Sequence, residues 1–447
     1  MSDDIPIISP AIGFTHDLAV VTVSLMERTA ENRLNIQPYL VTSQHELKRV
    51  DNQQIIQLND QDVALRSIPE GTEFLMRWKY RDIQRFLQGE VVDLGEVYQD
   101  VHKLFSTYID FSNAVDSHVV TLWVIATYFY TLFMAYPYLA LNGPKNSGKS
   151  TVLNVAKPLA FNMVATSDVT GPSLFRLIHH NSCTVGIDEA ERYHKPRDPE
   201  MMQIRQLLNS GYKPGMPAIR LTGDDLKPQA FDVYSPKILA NIMGLEDILA
   251  SRCIAIPMRR AAKKMPTFPP LFDGAIIRHK LYTLALTHYP TIYENCAHRP
   301  DLHQLNNRSH ELWSPLMALA AFFEEVGEVE GLIESIQKAA KRDVLISESR
   351  ALSQQEEAVL IALDILTRDS EEQVWIKATD LREKVRDLLG YSEDRMGAAL
   401  WIEHILKRLQ LTDRNRRKVY SGGQMYLMER GKILDMMQRY EVEIIEN

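Results

Sequence analysis

A parallel α/β fold is the class this sequence predicts, and three observations carry it. Between about 116 and 265 the short apolar runs Pro137–Asn142, Met163–Thr166, Cys183–Ile187, Lys237–Asn241 and Cys253–Ile256 alternate with helical stretches, as a parallel sheet with crossover helices requires. The first run enters the glycine-bounded loop Gly143-Pro144-Lys145-Asn146-Ser147-Gly148-Lys149-Ser150-Thr151, and a helical stretch, Ser150–Ala156, leaves it. The third run ends in the acid pair Asp188-Glu189.

Each of these elements predicts a piece of chemistry. A loop of this spacing between a strand and a helix wraps phosphates with its backbone N–H groups, and the helix adds its positive end to the same anion. Lys149 is then expected to reach the β and γ oxygens of ATP, and the Ser150 hydroxyl to ligate Mg2+. Asp188 is expected in the shell of the same metal, with Glu189 as general base on the attacking water.

Residues 1–115 read as a small α+β domain. Asp17–Glu27 and Ile36–Thr42 predict a hairpin, and Arg81–Gln88 and Leu94–Tyr108 predict helices. The charge-free stretch Val119–Leu141 is the one membrane candidate; because Pro137 ends any helix near Tyr136 and the remainder must enter the phosphate loop, Ser117–Tyr136 is expected as a buried helix. Within the nucleotide-binding segment, 116–345, a hairpin (Ala218–Thr222 with Ala230–Val233) is inserted before the fourth strand, and helices dominate 275–345. In 350–447, helices Gln354–Thr367, Ala378–Leu389 and Met396–Leu409 precede two strands, Leu411–Tyr420 and Gln424–Met428, turned at Gly422-Gly423. Three helices and a β-hairpin describe a winged helix.

Composition bounds the partners. The chain has 447 residues, 45% hydrophobic and 24% charged, and a net charge of −8, so any contact with nucleic acid must come from local patches. Cys183, Cys253 and Cys296 are too scattered for a disulfide framework or a zinc site, and the first residues lack the pattern of a signal peptide. A reducing, cytoplasmic setting without a membrane is expected. His179-His180, His298 and His303 have no companions at ligand spacing and read as structural.

Over about 116–325 these features resemble the AAA+ ATPases, in particular the minichromosome-maintenance-like replicative helicases of mobile genetic elements. Asn241, ending Pro236–Asn241, resembles sensor 1, which orients water against the γ-phosphate. Ser251-Arg252 resembles the step that carries the arginine finger, although Cys253-Ile254 stand where the family has an aromatic and an acid. Arg308, five residues before Trp313, resembles sensor 2 at the start of a lid helix.

The resemblance implies a homo-oligomeric ring, a hexamer, driven by ATP and Mg2+ along single-stranded or forked DNA, with a primase or polymerase as a separate partner. It equally allows a regulatory ATPase that remodels a protein partner, or one that assembles on DNA without unwinding. Candidate phosphate contacts are Arg220 and Lys227 on the inserted hairpin, and Lys407, Arg408, Arg414, Arg416, Arg417 and Lys418 around the wing.

Overall fold

The computed structural model describes residues 5–442 except 10, 29–31, 52, 59–60, 70, 73–74, 195–197, 223–225, 243–244, 299–304, 306, 350–353, 369–371, 390–399, 410, 413–416, 421–422 and 440–441. The chain divides into two compact units, Met1–Asp343 and Val344–Asn447.

The first unit begins with strands. Ala19–Arg28 pairs antiparallel with Leu34–Thr42, the expected hairpin, and Ile12–Phe14 and Leu47–Arg49 extend it to a four-stranded sheet. A second sheet of Ile7–Ile8, Gln61–Leu65 and Ile55–Leu58 was not anticipated. Strands of two, five and four residues give too short an alternation to be read as strands. The helices Tyr80–Leu87 and Leu94–Tyr108 follow, the latter capped by Asp93, whose carboxylate accepts from the Glu96 N–H at 2.8 Å.

The expected buried helix over Ser117–Tyr136 is shorter. It runs Val115–Ala126 and tightens into a 3-10 turn over Thr127–Leu132. The Thr127 hydroxyl donates to the Val124 carbonyl at 2.6 Å and accepts from the Phe161 N–H at 2.9 Å, so a side chain takes over backbone partners where the α-helix stops. Trp123, Tyr128, Phe129 and Tyr136 are all fully buried, and the Trp123 indole donates to the Pro137 carbonyl at 2.7 Å. This apolar stretch is core. Among the described residues no helix is long and apolar enough to cross a membrane.

All five core strands form where the sequence placed them. In space their order is Cys253–Pro257, Tyr138–Asn142, Lys237–Asn241, Val185–Ile187 and Val164–Thr166, and every adjacent pair is parallel. The fourth strand in sequence therefore lies between the phosphate-loop strand and the acidic strand. Because all five run the same way, the residues that follow Asn142, Ile187 and Asn241 emerge at one edge, where ligands of open α/β sheets bind. The inserted hairpin pairs Ala218–Thr222 with Lys227–Phe231, and the helices Ala275–His298, Asn307–Glu325 and Leu332–Ser349 complete the expected helical region.

The second unit runs helix, strand, helix, helix, strand, strand, helix: Gln354–Thr367, Gln373–Lys377, Ala378–Leu389, Leu400–Arg408, Arg417–Tyr420, Gly423–Glu429 and Arg430–Arg439. Gln373–Lys377, which was not anticipated as a strand, pairs with Gly423–Glu429 and makes the hairpin a three-stranded sheet. Its own core includes Leu363, Leu381, Leu406, Tyr426 and Met428. The Gly422 half of the expected turn lies outside the described residues.

Candidate functional site

At the carboxyl edge of the sheet the glycine-bounded loop closes over its own lysine. Gly148 caps the helix Lys149–Ala156 at φ +87, a left-handed conformation that costs glycine nothing, and no side chain caps the first turn. The N–H groups there are left for an anion. Lys149 is 8% exposed, and its Nζ donates to the carbonyls of Gly143 at 2.7 Å and Pro144 at 2.8 Å. Burial holds its ammonium below the ordinary lysine value, while the charges of Asp188 and Glu191 act the other way. A Cβ at Gly143 would stand 2.3 Å from the Met258 carbonyl, so the chain leaving the edge strand Cys253–Pro257 lies directly against the loop. Arg260 fastens it there through Nε to the Lys145 carbonyl at 3.3 Å.

The metal-ligand candidates meet. Ser150 Oγ donates to Asp188 Oδ2 at 2.7 Å, joining the loop to the end of the acidic strand. A hydroxyl and a carboxylate oxygen at one point are the donors Mg2+ takes, which fits the expected cofactor. Glu189 adopts φ +56 and its carboxylate is ion-paired with Arg192, three residues on. Asn241 is fully buried and registers opposite Asn142, so the two amides stand side by side at the same edge.

Sequence reading missed two groups here. Glu191 has one carboxylate oxygen buried without a hydrogen-bond partner, and the Asn142 amide oxygen is in the same state. An acid two residues beyond an acid pair carries no signal of its own, since only the 3-10 turn Ala190–His194 brings it back toward Lys149.

A cavity of about 390 Å³ opens beside the loop, lined by Asn146, Gly148, Thr151, Tyr108, Asp110 and Phe268 among others. The Tyr108 and Phe268 rings meet edge to face at 5.0 Å, and Asp110 accepts from the Ala262 N–H at 3.0 Å. The pocket thus joins the loop's backbone to aromatic walls, the mix of polar and apolar lining that ligand pockets have.

Arg252 and Arg308 stand elsewhere. Arg252 precedes the strand Cys253–Pro257, and its carbonyl accepts from the Tyr138 N–H at 3.0 Å, so it lies at the amino edge of the sheet. Five strand residues at about 3.3 Å each separate it from the phosphate-loop edge, roughly 16 Å. Its Nε donates to the Asn209 carbonyl at 2.7 Å, near the end of the helix Pro199–Ser210, and Nη1 to the Ile248 carbonyl. The guanidinium lies 5.0 Å from the centre of the Tyr212 ring. Arg308 lies 5.6 Å from the same ring, with Nη2 at 3.5 Å from the Tyr212 hydroxyl. The structure brings these two arginines together and sets both away from their own phosphate loop.

The expected DNA contacts are differently placed. Arg220 rests over the Phe175 ring at 5.3 Å and donates to the Ile219 carbonyl, while Ile219 and Leu221 are exposed and Lys227 is exposed on the partner strand. Lys407 pairs with Glu403 at 2.7 Å, and Lys418 lies 4.4 Å over the Trp375 ring. Arg414 and Arg416 fall outside the described residues, and Arg408 and Arg417 are described in backbone only.

Comparisons with known proteins add little weight. No family model matches the chain, and no curated protein does. Among solved structures, one titled "SCCmec type IV Cch - active helicase" aligns at TM-score 0.39 and 11% identity over 99% of this chain and 82% of that one. "The A form apo structure of NrS-1 C terminal region-CTR" aligns at 0.36 and 12% over 84% and 82%. "Structure of Drosophila ORC bound to DNA" aligns at 0.21 and 11% over 77% and 92%. Scores of this size align elements without defining a common fold. What defines this molecule is its own geometry: a mixed α/β chain with a five-stranded parallel sheet and a phosphate-type loop at its carboxyl edge.

Proposed function

We propose that the chain is an ATP-hydrolysing motor of the AAA+ class that assembles as a ring, a hexamer, and translocates on or unwinds DNA. One observation carries the reading: the loop and acids occupy the carboxyl edge of the sheet, while Arg252 and Arg308 share the Tyr212 ring at the amino edge. Arginines that far from their own loop serve a nucleotide only on a neighbouring copy, and head-to-tail contacts that close make a ring.

On this reading Lys149 and the uncapped helix start bind the phosphates, and Ser150 with Asp188 holds Mg2+, which neutralises charge on them. Glu189 must leave Arg192 to take a proton from water, and Asn241 orients that water. Arg252 then offsets the charge that develops on the neighbour's γ-phosphate. Asn307–Glu325 reads as the lid helix, and the helix–strand–helix–helix–strand–strand order of the second unit as a winged helix that contacts DNA phosphates.

A second reading is a regulatory ATPase that acts on a protein partner. The outward face of the inserted hairpin favours it: Ile219 and Leu221 are 64% and 61% exposed, whereas Arg220 packs on Phe175. Forked-duplex unwinding distinguishes the two. Strand separation that needs ATP and fails with Lys149→Ala supports the motor; robust ATP hydrolysis with no strand separation on any fork supports the remodeller.

A further inference from the structure

The amino-edge cluster contains a residue that neither the loop nor the arginines explain. Tyr212 sits in the turn after Pro199–Ser210, its carbonyl accepting from the Tyr136 N–H at 2.8 Å. The preceding carbonyl, Gly211, accepts from the fully buried Lys237 ammonium at 3.2 Å, so the backbone of the turn is pinned to the core sheet. Three cations surround the ring: Arg252 at 5.0 Å, Arg308 at 5.6 Å and Lys213 at 5.5 Å. Lys213 is neutralised by Glu311 at 2.6 Å. Among the described residues no carboxylate pairs with Arg252 or Arg308.

Two guanidinium groups beside one another repel, and the Arg308 charge contributes to holding Arg252 below its ordinary value, after burial. A π face attracts both and neutralises neither. Of the Arg252 nitrogens, Nε and Nη1 are engaged by backbone carbonyls and Nη1 also by Ser251 at 3.4 Å; among the described residues Nη2 takes no hydrogen bond. The arrangement therefore keeps two positive charges oriented without quenching them, which is what a site for an anion brought by another molecule requires.

We infer that Tyr212 is a positioning residue: its ring holds Arg252 and Arg308 as one anion clamp for the terminal phosphates of a nucleotide bound to the neighbouring copy of this chain. The inference rests on the trans-acting arginines proposed above and adds that both arginines act from one ring.

The test uses the full chain and steady-state ATP hydrolysis. Tyr212→Phe keeps the π face and loses only the hydroxyl contact to Arg308, so it retains more than half of kcat. Tyr212→Leu fills similar space with no π face and lowers kcat by about tenfold or more, because a partly desolvated cation–π contact is worth roughly that much. The KM for ATP stays within about twofold, since each variant's own loop is intact. Mixed with Lys149→Ala chains, Tyr212→Leu recovers activity, since Lys149→Ala supplies an intact clamp. Equal kcat for Phe and Leu variants, high or low, overturns the inference. An inactive Arg252→Ala beside a fully active Tyr212→Leu sinks the clamp alone, whereas a fully active Arg252→Ala sinks the underlying reading of trans-acting arginines.

Discussion

At the carboxyl edge of the core sheet Lys149 is enclosed by loop carbonyls and Ser150 is bonded to Asp188, whereas at the amino edge Arg252 and Arg308 share one tyrosine ring with no described carboxylate between them. In the first region Lys149 and Ser150 are paired: an ammonium with acceptors, a hydroxyl with an acid. The second is held in place by backbone carbonyls and π electrons yet keeps its charge. The difference teaches that one chain carries a self-paired loop at one edge of its sheet and two uncompensated arginines at the other, which is the arrangement that the proposed trans action would use.

The comparison breaks first at the loop. Lys149→Ala should lose nucleotide binding altogether, read as loss of a fluorescent-nucleotide signal. Glu189→Gln should bind normally and hydrolyse about 10²–10⁴-fold more slowly, the range for a lost general base. Glu191→Gln is the control that sharpens this, because the Glu191 oxygen lacks a partner while Glu189 is paired with Arg192. If single-turnover rates show the larger loss for Glu191→Gln, the base has been misassigned by two residues.

At the other edge, Arg252→Ala should bind ATP and lose about 10³ in turnover, the scale of an arginine finger. Mixing it with Lys149→Ala should restore activity in proportion to interfaces that pair an intact loop with an intact Arg252. Absence of recovery in assemblies shown by mass to contain both chains would place Arg252 in a purely structural role as the cap of Pro199–Ser210.

Smaller effects are expected beneath the clamp. Lys237 is fully buried, donates to the carbonyls of Gly211, Val233 and Ser235, and faces the Tyr138 ring at 4.8 Å. Burial pushes its ammonium down from 10.5 to about 7. The folded value lies below the unfolded one, so between these limits the unfolded chain holds the proton more tightly and stability rises with pH. Lys237→Met should cost about 2–4 kcal/mol by stranding three carbonyls, and should flatten that rise. Chemical denaturation at several pH values between 7 and 10 reads both.

How much of this was legible in the sequence follows from the range of each signal. The loop and the acid pair are local patterns, and their strands and helix fell where the residues placed them. Asp188 meeting Ser150 is a long-range contact; a parallel sheet places both at its carboxyl edge once their strands are identified, but the contact itself follows from the strand order. Tyr212 was invisible, because a tyrosine in a turn becomes informative only when two arginines, 40 residues and 96 residues away, arrive over its ring. Gln373–Lys377 was missed for a related reason: five residues between two helices give little alternation, and only their pairing with Gly423–Glu429 makes them a strand. Arg220 was legible as a cation on a hairpin, but its place 5.3 Å from the centre of the Phe175 ring was not.

The second unit offers the smallest and most separable effect. Its basic run, Arg414, Arg416, Arg417 and Lys418, stands in an otherwise acidic chain, and Lys418 is already drawn toward Trp375. A cation held over a ring keeps its charge, so a phosphate can still approach it. Replacing all four by Ala should weaken DNA binding and flatten its salt dependence, each lost phosphate contact reducing the log–log slope by about 0.7–0.9. Lys407 is paired with Glu403 at 2.7 Å, so Lys407→Ala should change the slope least. ATP hydrolysis without DNA should persist in both variants, since all of these residues belong to the second unit and the phosphate-type loop to the first. Fluorescence anisotropy at a series of salt concentrations decides the matter: an unchanged affinity and slope in the quadruple variant would make the second unit a protein-contact module, and would leave the hairpin with exposed Ile219, Leu221 and Lys227 as the place to look for the DNA grip.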